Sequence, residues 1–110
     1  MIERTIVLPA RDNDGVSLAA QVASVKRELL AVAGGYSEVK QSGAWRDEDG
    51  TVYRDQSWRV TTTVDEQQDA AIMARLPERC ERLRQICLYT HATTVDSGFV
   101  YASVPQTAIA

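Results

Sequence analysis

The chain predicts an α+β domain in which helices cover one face of an antiparallel sheet, and three features predict it. The first is residues 34–64, GGYSEVKQSGAWRDEDGTVYRDQSWRVTTTV, two runs rich in β-formers and aromatics around the acidic turn Arg46-Asp47-Glu48-Asp49-Gly50. The second is a helical stripe. Leu18, Val22, Val25, Leu29 and Val32 recur at three- and four-residue steps, one face of about four turns, and Gly34-Gly35 then stops the helix. The third is alternation in the second hairpin arm. Trp58, Val60, Thr62 and Val64 point one way and Ser57, Arg59, Thr61 and Thr63 the other, which suits a sheet with helices on one side only.

The remaining elements follow in order. Residues 2–8 form a first strand closed by Pro9, and residues 11–15 form a polar loop. Ser17 is a candidate cap for the first helix. Asp65 or Glu66 opens a second helix with Ile72, Leu76, Cys80 and Leu83 as its stripe, continuing to Cys87. The ring of Pro77 clashes with the carbonyl four residues back, so a kink or break is predicted near Leu76, with the helix ending about Arg84. Residues 85–93 read as a last strand, with Ile86, Leu88, Thr90 and Ala92 facing the core and Cys87, Tyr89 and His91 facing away. The order β-α-β-β-α-β over residues 1–93 is the ferredoxin-like arrangement, and right-handed crossovers put both helices on one face. Residues 94–110 are expected to add a turn at Val95-Asp96-Ser97-Gly98, a strand over 99–104 that pairs back or crosses to a second subunit, and a loose tail.

At 110 residues the chain is one domain that needs no metal or disulfide staple. It has no apolar run of the roughly 18 residues a membrane span requires. Met1-Ile2-Glu3-Arg4 lacks a signal-peptide pattern, so the cytoplasm is expected. The net charge of −3 argues against nucleic acid as a partner. Arg75, Arg79, Arg82 and Arg84 alternate with Glu78 and Glu81, which reads as a solvated, salt-bridged helix face. Cys80 and Cys87 are seven apart, which is no zinc spacing, and are expected as reduced, buried, small apolar residues.

The stretch GGYSEVKQSGAWRDEDGTVYRDQSWRV resembles a pattern in small bacterial and phage proteins of unassigned function. There a helix ends in Gly-Gly-aromatic, followed by Gly-x-Trp, an acidic turn with Gly, and a strand led by an acidic residue. Gly34, Gly35, Tyr36, Gly43, Trp45, Asp49, Gly50 and Asp55 carry it here. The resemblance implies a ferredoxin-like α+β domain; it carries no known activity and so adds nothing on mechanism.

The polar inventory is poor for catalysis. His91 is the one histidine; as a general base it would need an orienting carboxylate that the sequence does not supply. Asp47, Glu48 and Asp49 are too tightly spaced for a calcium loop and read as a solvated hairpin tip. No cofactor motif and no metal-ligand spacing is present. Tyr36, Trp45, Tyr53 and Trp58 concentrate the aromatics in the hairpin. Base stacking on a sheet would need aromatics on the first strand, which has none, so core packing for Trp58 and a cap over the helix end for Trp45 or Tyr36 are expected.

One constellation stands out: Arg59 with Ser57, Thr61 and Thr63 on the polar sheet face, joined by Tyr89 and His91. It suits a small anion, and it equally suits the surface on which two sheets meet in a homodimer, the favoured reading. The sequence therefore predicts a non-catalytic binding or interaction module. The first alternative is a dimeric α+β barrel enzyme acting on a small organic molecule, with His91 as acid or base, Arg59 as anion anchor and Tyr89 as hydrogen-bond donor. A further alternative is a phage or mobile-element protein that docks a protein partner, a host factor, through Asp12, Asp14 and the Asp47–Asp49 tip.

Overall fold

The computed structural model describes residues 1–95. Its elements are β1 (Ile2–Pro9), α1 (Ala19–Ala33), β2 (Ser37–Arg46), β3 (Val52–Val64), α2 (Glu66–Ala74), α3 (Leu76–Arg82) and β4 (Thr90–Thr94). The strands form one sheet in the order β2-β3-β1-β4, with each neighbouring pair antiparallel. The α+β class and the antiparallel sheet are as the sequence predicts. The extra strand and tail expected beyond residue 95 lie outside the described residues.

Even-numbered residues of β1 and β3 face the helices. Ile6, Leu8, Val60 and Val64 pack with Leu18, Val22, Val25 and Leu29 from the α1 segment and with Ile72 and Leu83. Helix α1 begins one residue after Leu18, with no side-chain cap bond, although Ala19 N–H lies 3.3 Å from Ser17 Oγ. It ends at Gly34, whose φ of 80° is the left-handed conformation that lets its N–H bond back to Leu30. Helix α2 opens on a capping box in which Asp65 accepts from Gln68 N–H and the Gln68 side chain accepts from Asp65 N–H. Pro77 breaks the expected second helix into α2 and α3, with Arg75 between them.

Three expectations in this half of the chain are corrected. The first concerns the arginine face. Arg79 is only 1% exposed instead of solvated, donating to Ile72 O at 3.1 Å and to Glu28 at 3.3 Å. Arg82 binds Glu28 at 2.6 Å as well as Glu78, so the acidic partner from outside the helix is Glu28 of α1. The second concerns the last strand, which starts at Thr90 instead of residue 85. Arg84 adopts a left-handed φ of 53° and Gln85 N–H bonds to Cys80 O, so these residues close α3. Ile86, expected in the core, is 98% exposed, while Leu88 packs against the core edge. The third concerns the thiols: both are free, but Cys87 is exposed and Cys80 half-buried, where burial was expected.

No helix among the described residues is long and apolar enough to cross a membrane.

Candidate functional site

Odd-numbered residues of all four strands face away from the helices. Register sets Arg59 opposite Val7 and Val39, Thr61 opposite Thr5 and Ser37, and His91 opposite Thr5. The structure thus brings together Arg59, Thr61, Tyr89 and His91, as the alternation predicts. Arg59 Nη2 lies 3.1 Å from His91 Nε2. A guanidinium has no acceptor, so the imidazole nitrogen accepts and its proton resides on Nδ1. The Tyr89 and His91 rings meet edge to face at 5.7 Å. Beneath them the Thr5 and Thr61 hydroxyls are 3.0 Å apart, and Thr5 is 2% exposed.

Beside this cluster runs a groove of about 400 Å³. Asp55, Ser57 and Arg59 of β3 and Gln41 of β2 form its polar side, and Val7, Pro9, Leu88 and Tyr89 form its other wall. Gln41 Nε2 donates to Ser57 Oγ at 3.1 Å, which ties the two hairpin arms together beside the groove. Arg59 makes no carboxylate pair among the described residues, so its charge is open to a ligand. Among the same residues no three His, Cys, Asp or Glu side chains gather as metal ligands.

Several basic and acidic side chains elsewhere among the described residues pair with one another. Arg4 Nε and Nη2 grip the Asp69 carboxylate at 2.8 Å each, and that bond holds the carboxyl below its ordinary value. Glu28 is likewise held low, first by Arg82. Asp12 accepts from the N–H groups of Val16 and Asp14 and from Arg84 at 2.8 Å, which depresses its carboxyl too. Its carboxylate is therefore committed within the fold. Lys26 of α1 lies 3.9 Å above the Trp58 ring, and Trp58 packs against the core as expected.

The acidic tip is not part of the groove. It lies seven register pairs beyond Val39 and Arg59, roughly 23 Å at strand spacing. Asp47 spends its carboxylate on the turn, accepting from Asp49 N–H, Thr51 N–H and the Tyr53 hydroxyl, while Glu48 and Asp49 are exposed. Trp45 does not cap the helix end. It stacks on Tyr53 at 4.5 Å far out on the hairpin and is 56% exposed; Tyr36 takes the place against the core. Beyond Gln41 and Ser57, no residue of the two strands is buried on either face. Sequence reasoning did not single out Asp55 or Gln41 as site residues, because their place in the groove depends on the β2–β3 register.

No protein-family model matches the chain, and no curated protein sequence matches it significantly. Its fold is similar to those of solved structures. A CutA1 variant from Pyrococcus horikoshii OT3 gives a TM-score of 0.63 at 14% identity, covering 99% of this chain and 91% of that one. The periplasmic divalent cation tolerance protein CutA from Archaeoglobus fulgidus gives 0.60 at 11%, covering 90% and 88%. A phage SAM lyase in complex with S-methyl-5'-thioadenosine gives 0.59 at 14%, covering 84% and 79%. Identities this low establish a shared fold, and the chain is an α+β domain of the kind seen in those proteins.

Proposed function

We propose that the chain is a ferredoxin-like, non-catalytic binding module that self-associates and holds a small anionic organic molecule at Arg59. The observation that carries the first part is the bare outer half of the β2–β3 hairpin. A two-stranded ribbon on its own is marginal in water, yet this one exposes Trp45, Val52 and Tyr53. A second copy of the chain covers that surface, and the homodimer expected from the sequence is the smallest closed form. The hairpin pattern resembling small bacterial and phage proteins falls on the same segment. A free, exposed Cys87 suits the reducing cytoplasm.

The test is a double variant, Trp45→Ser with Tyr53→Ser, followed by sedimentation at micromolar concentration. Dissociation to monomers with native circular dichroism supports the reading. An unchanged oligomer removes the hairpin as the interface.

The second reading, an enzyme acting on a small organic molecule, draws support from the groove beside His91 and from the fold shared with the phage SAM lyase. Against it, Arg59 occupies Nε2 of His91, and no carboxylate orients the ring among the described residues. Incubation with SAM and chromatography for S-methyl-5'-thioadenosine decides it: product formation lost in His91→Ala would replace the binding-module reading.

A further inference from the structure

Asp55 and Arg59 stand four residues apart on β3 with Ser57 between them, and all three line the same groove. At about 3.3 Å per residue their Cα atoms are roughly 13 Å apart. Neither charge is neutralised among the described residues. The Asp55 carboxylate has no ion-pair partner there, and the side-chain partner of Arg59 is the accepting nitrogen of His91.

The place of Asp55 is built into the sheet. Its register partner across β2 is Gly43, and a Cβ on Gly43 would come within 2.9 Å of Asp55 Oδ1. Gly43 does not have a positive φ, so what the glycine supplies is space: the carboxylate lies over the β2 backbone where another side chain would stand. One end of the groove is therefore anionic and the other cationic. Gln41 and Ser57 offer neutral hydrogen bonds between them, and Val7, Pro9 and Leu88 offer apolar wall. A volume of about 400 Å³ is within the range of small-ligand sites.

We infer that the groove binds a zwitterionic small organic molecule, with its anionic group on Arg59 and its cationic group on Asp55. This rests on the anion site at Arg59 and adds the second pole. An anion without a cationic group leaves Asp55 unpaired at the groove's end, and a cation alone meets Arg59.

The full chain is titrated by NMR with two matched pairs, ε-aminocaproate against caproate and γ-aminobutyrate against butyrate. At least one amino acid binds about three- to fivefold more tightly than its parent acid, the worth of an exposed ion pair. Asp55→Asn abolishes that preference and does not weaken binding of the parent acid. Gly43→Ala does the same by displacing the carboxylate, and Arg59→Gln weakens every probe. Asp55 and Arg59 are exposed, so both variants keep the fold, which circular dichroism checks. Equal binding within both pairs, with Asp55→Asn silent, overturns the zwitterion site and leaves the anion site standing. Binding of neither class overturns both.

Discussion

The guanidinium of Arg59 donates to His91 Nε2 across 3.1 Å, diagonally over β1, and so ties β3 to β4. The bond lies on the sheet face opposite the core and joins an exposed side chain to a half-buried one. His91→Ala should therefore leave the fold and the oligomer intact, changing stability by no more than about 0.5 kcal/mol in urea denaturation. A loss of several times that would mean the imbalance falls on β4 and that the pair is structural.

The Arg4–Asp69 pair predicts acid sensitivity. Arg4 sits on the helix side of β1, also donates to Thr90, and joins α2 to both β1 and β4. The folded-state pKa of Asp69 is depressed, chiefly by the Arg4 hydrogen bond, as that of Glu28 is by Arg82. Each contribution is fully present above the unfolded carboxylate value of about 4 and is lost as pH falls through the lower folded value. The thermal midpoint should hold from neutral pH to about that point and then drop. Asp69→Asn should lower the plateau and flatten the drop, as followed by circular dichroism across a pH series.

Glu28 and Arg79 are predicted to behave unequally. One Glu28 carboxylate serves Arg75, Arg79 and Arg82, and Arg79 is enclosed with its Nε unbonded. Glu28→Ala strands a buried guanidinium and should cost about 3 kcal/mol. Arg79→Met removes the charge and keeps the volume, so it should cost less than about 1 kcal/mol. Chemical denaturation of the two variants side by side checks the order; a larger loss for Arg79→Met would contradict it.

Gly34→Ala should destabilise by about 1 kcal/mol, because the helix ends there in a left-handed conformation that a Cβ disfavours. The same change at Gly35, which has no positive φ, should cost less. A comparison of urea midpoints separates them.

What was legible in the sequence was what is decided locally. The stripe from Leu18 to Leu29, the stop at Gly34, the opening of the second helix at Asp65 or Glu66 and the break at Pro77 each depend on residues within a turn or two, and each is found. The alternation of β3 also gave the open face and with it Arg59 and Thr61. Residues 85–89 misled because their apolar alternation is that of a strand, while Arg84 and Gln85 are needed to close α3. Pairing with β1 then resumes only at Tyr89, whose carbonyl accepts from Val7 N–H. Arg79 gave no sign of burial because its partner Glu28 is 51 residues away. Asp55 was visible as part of a hairpin pattern, but its fit over Gly43 is a consequence of register.

On the proposed reading, another copy of this chain covers the bare outer half of the β2–β3 hairpin and leaves the Arg59 groove open. Native mass spectrometry of the full chain, purified gently at micromolar concentration, tests it most directly. A homo-oligomer is expected, with any retained small molecule seen as an added mass that Arg59→Gln removes. A monomer, or a complex containing a different polypeptide, would contradict it.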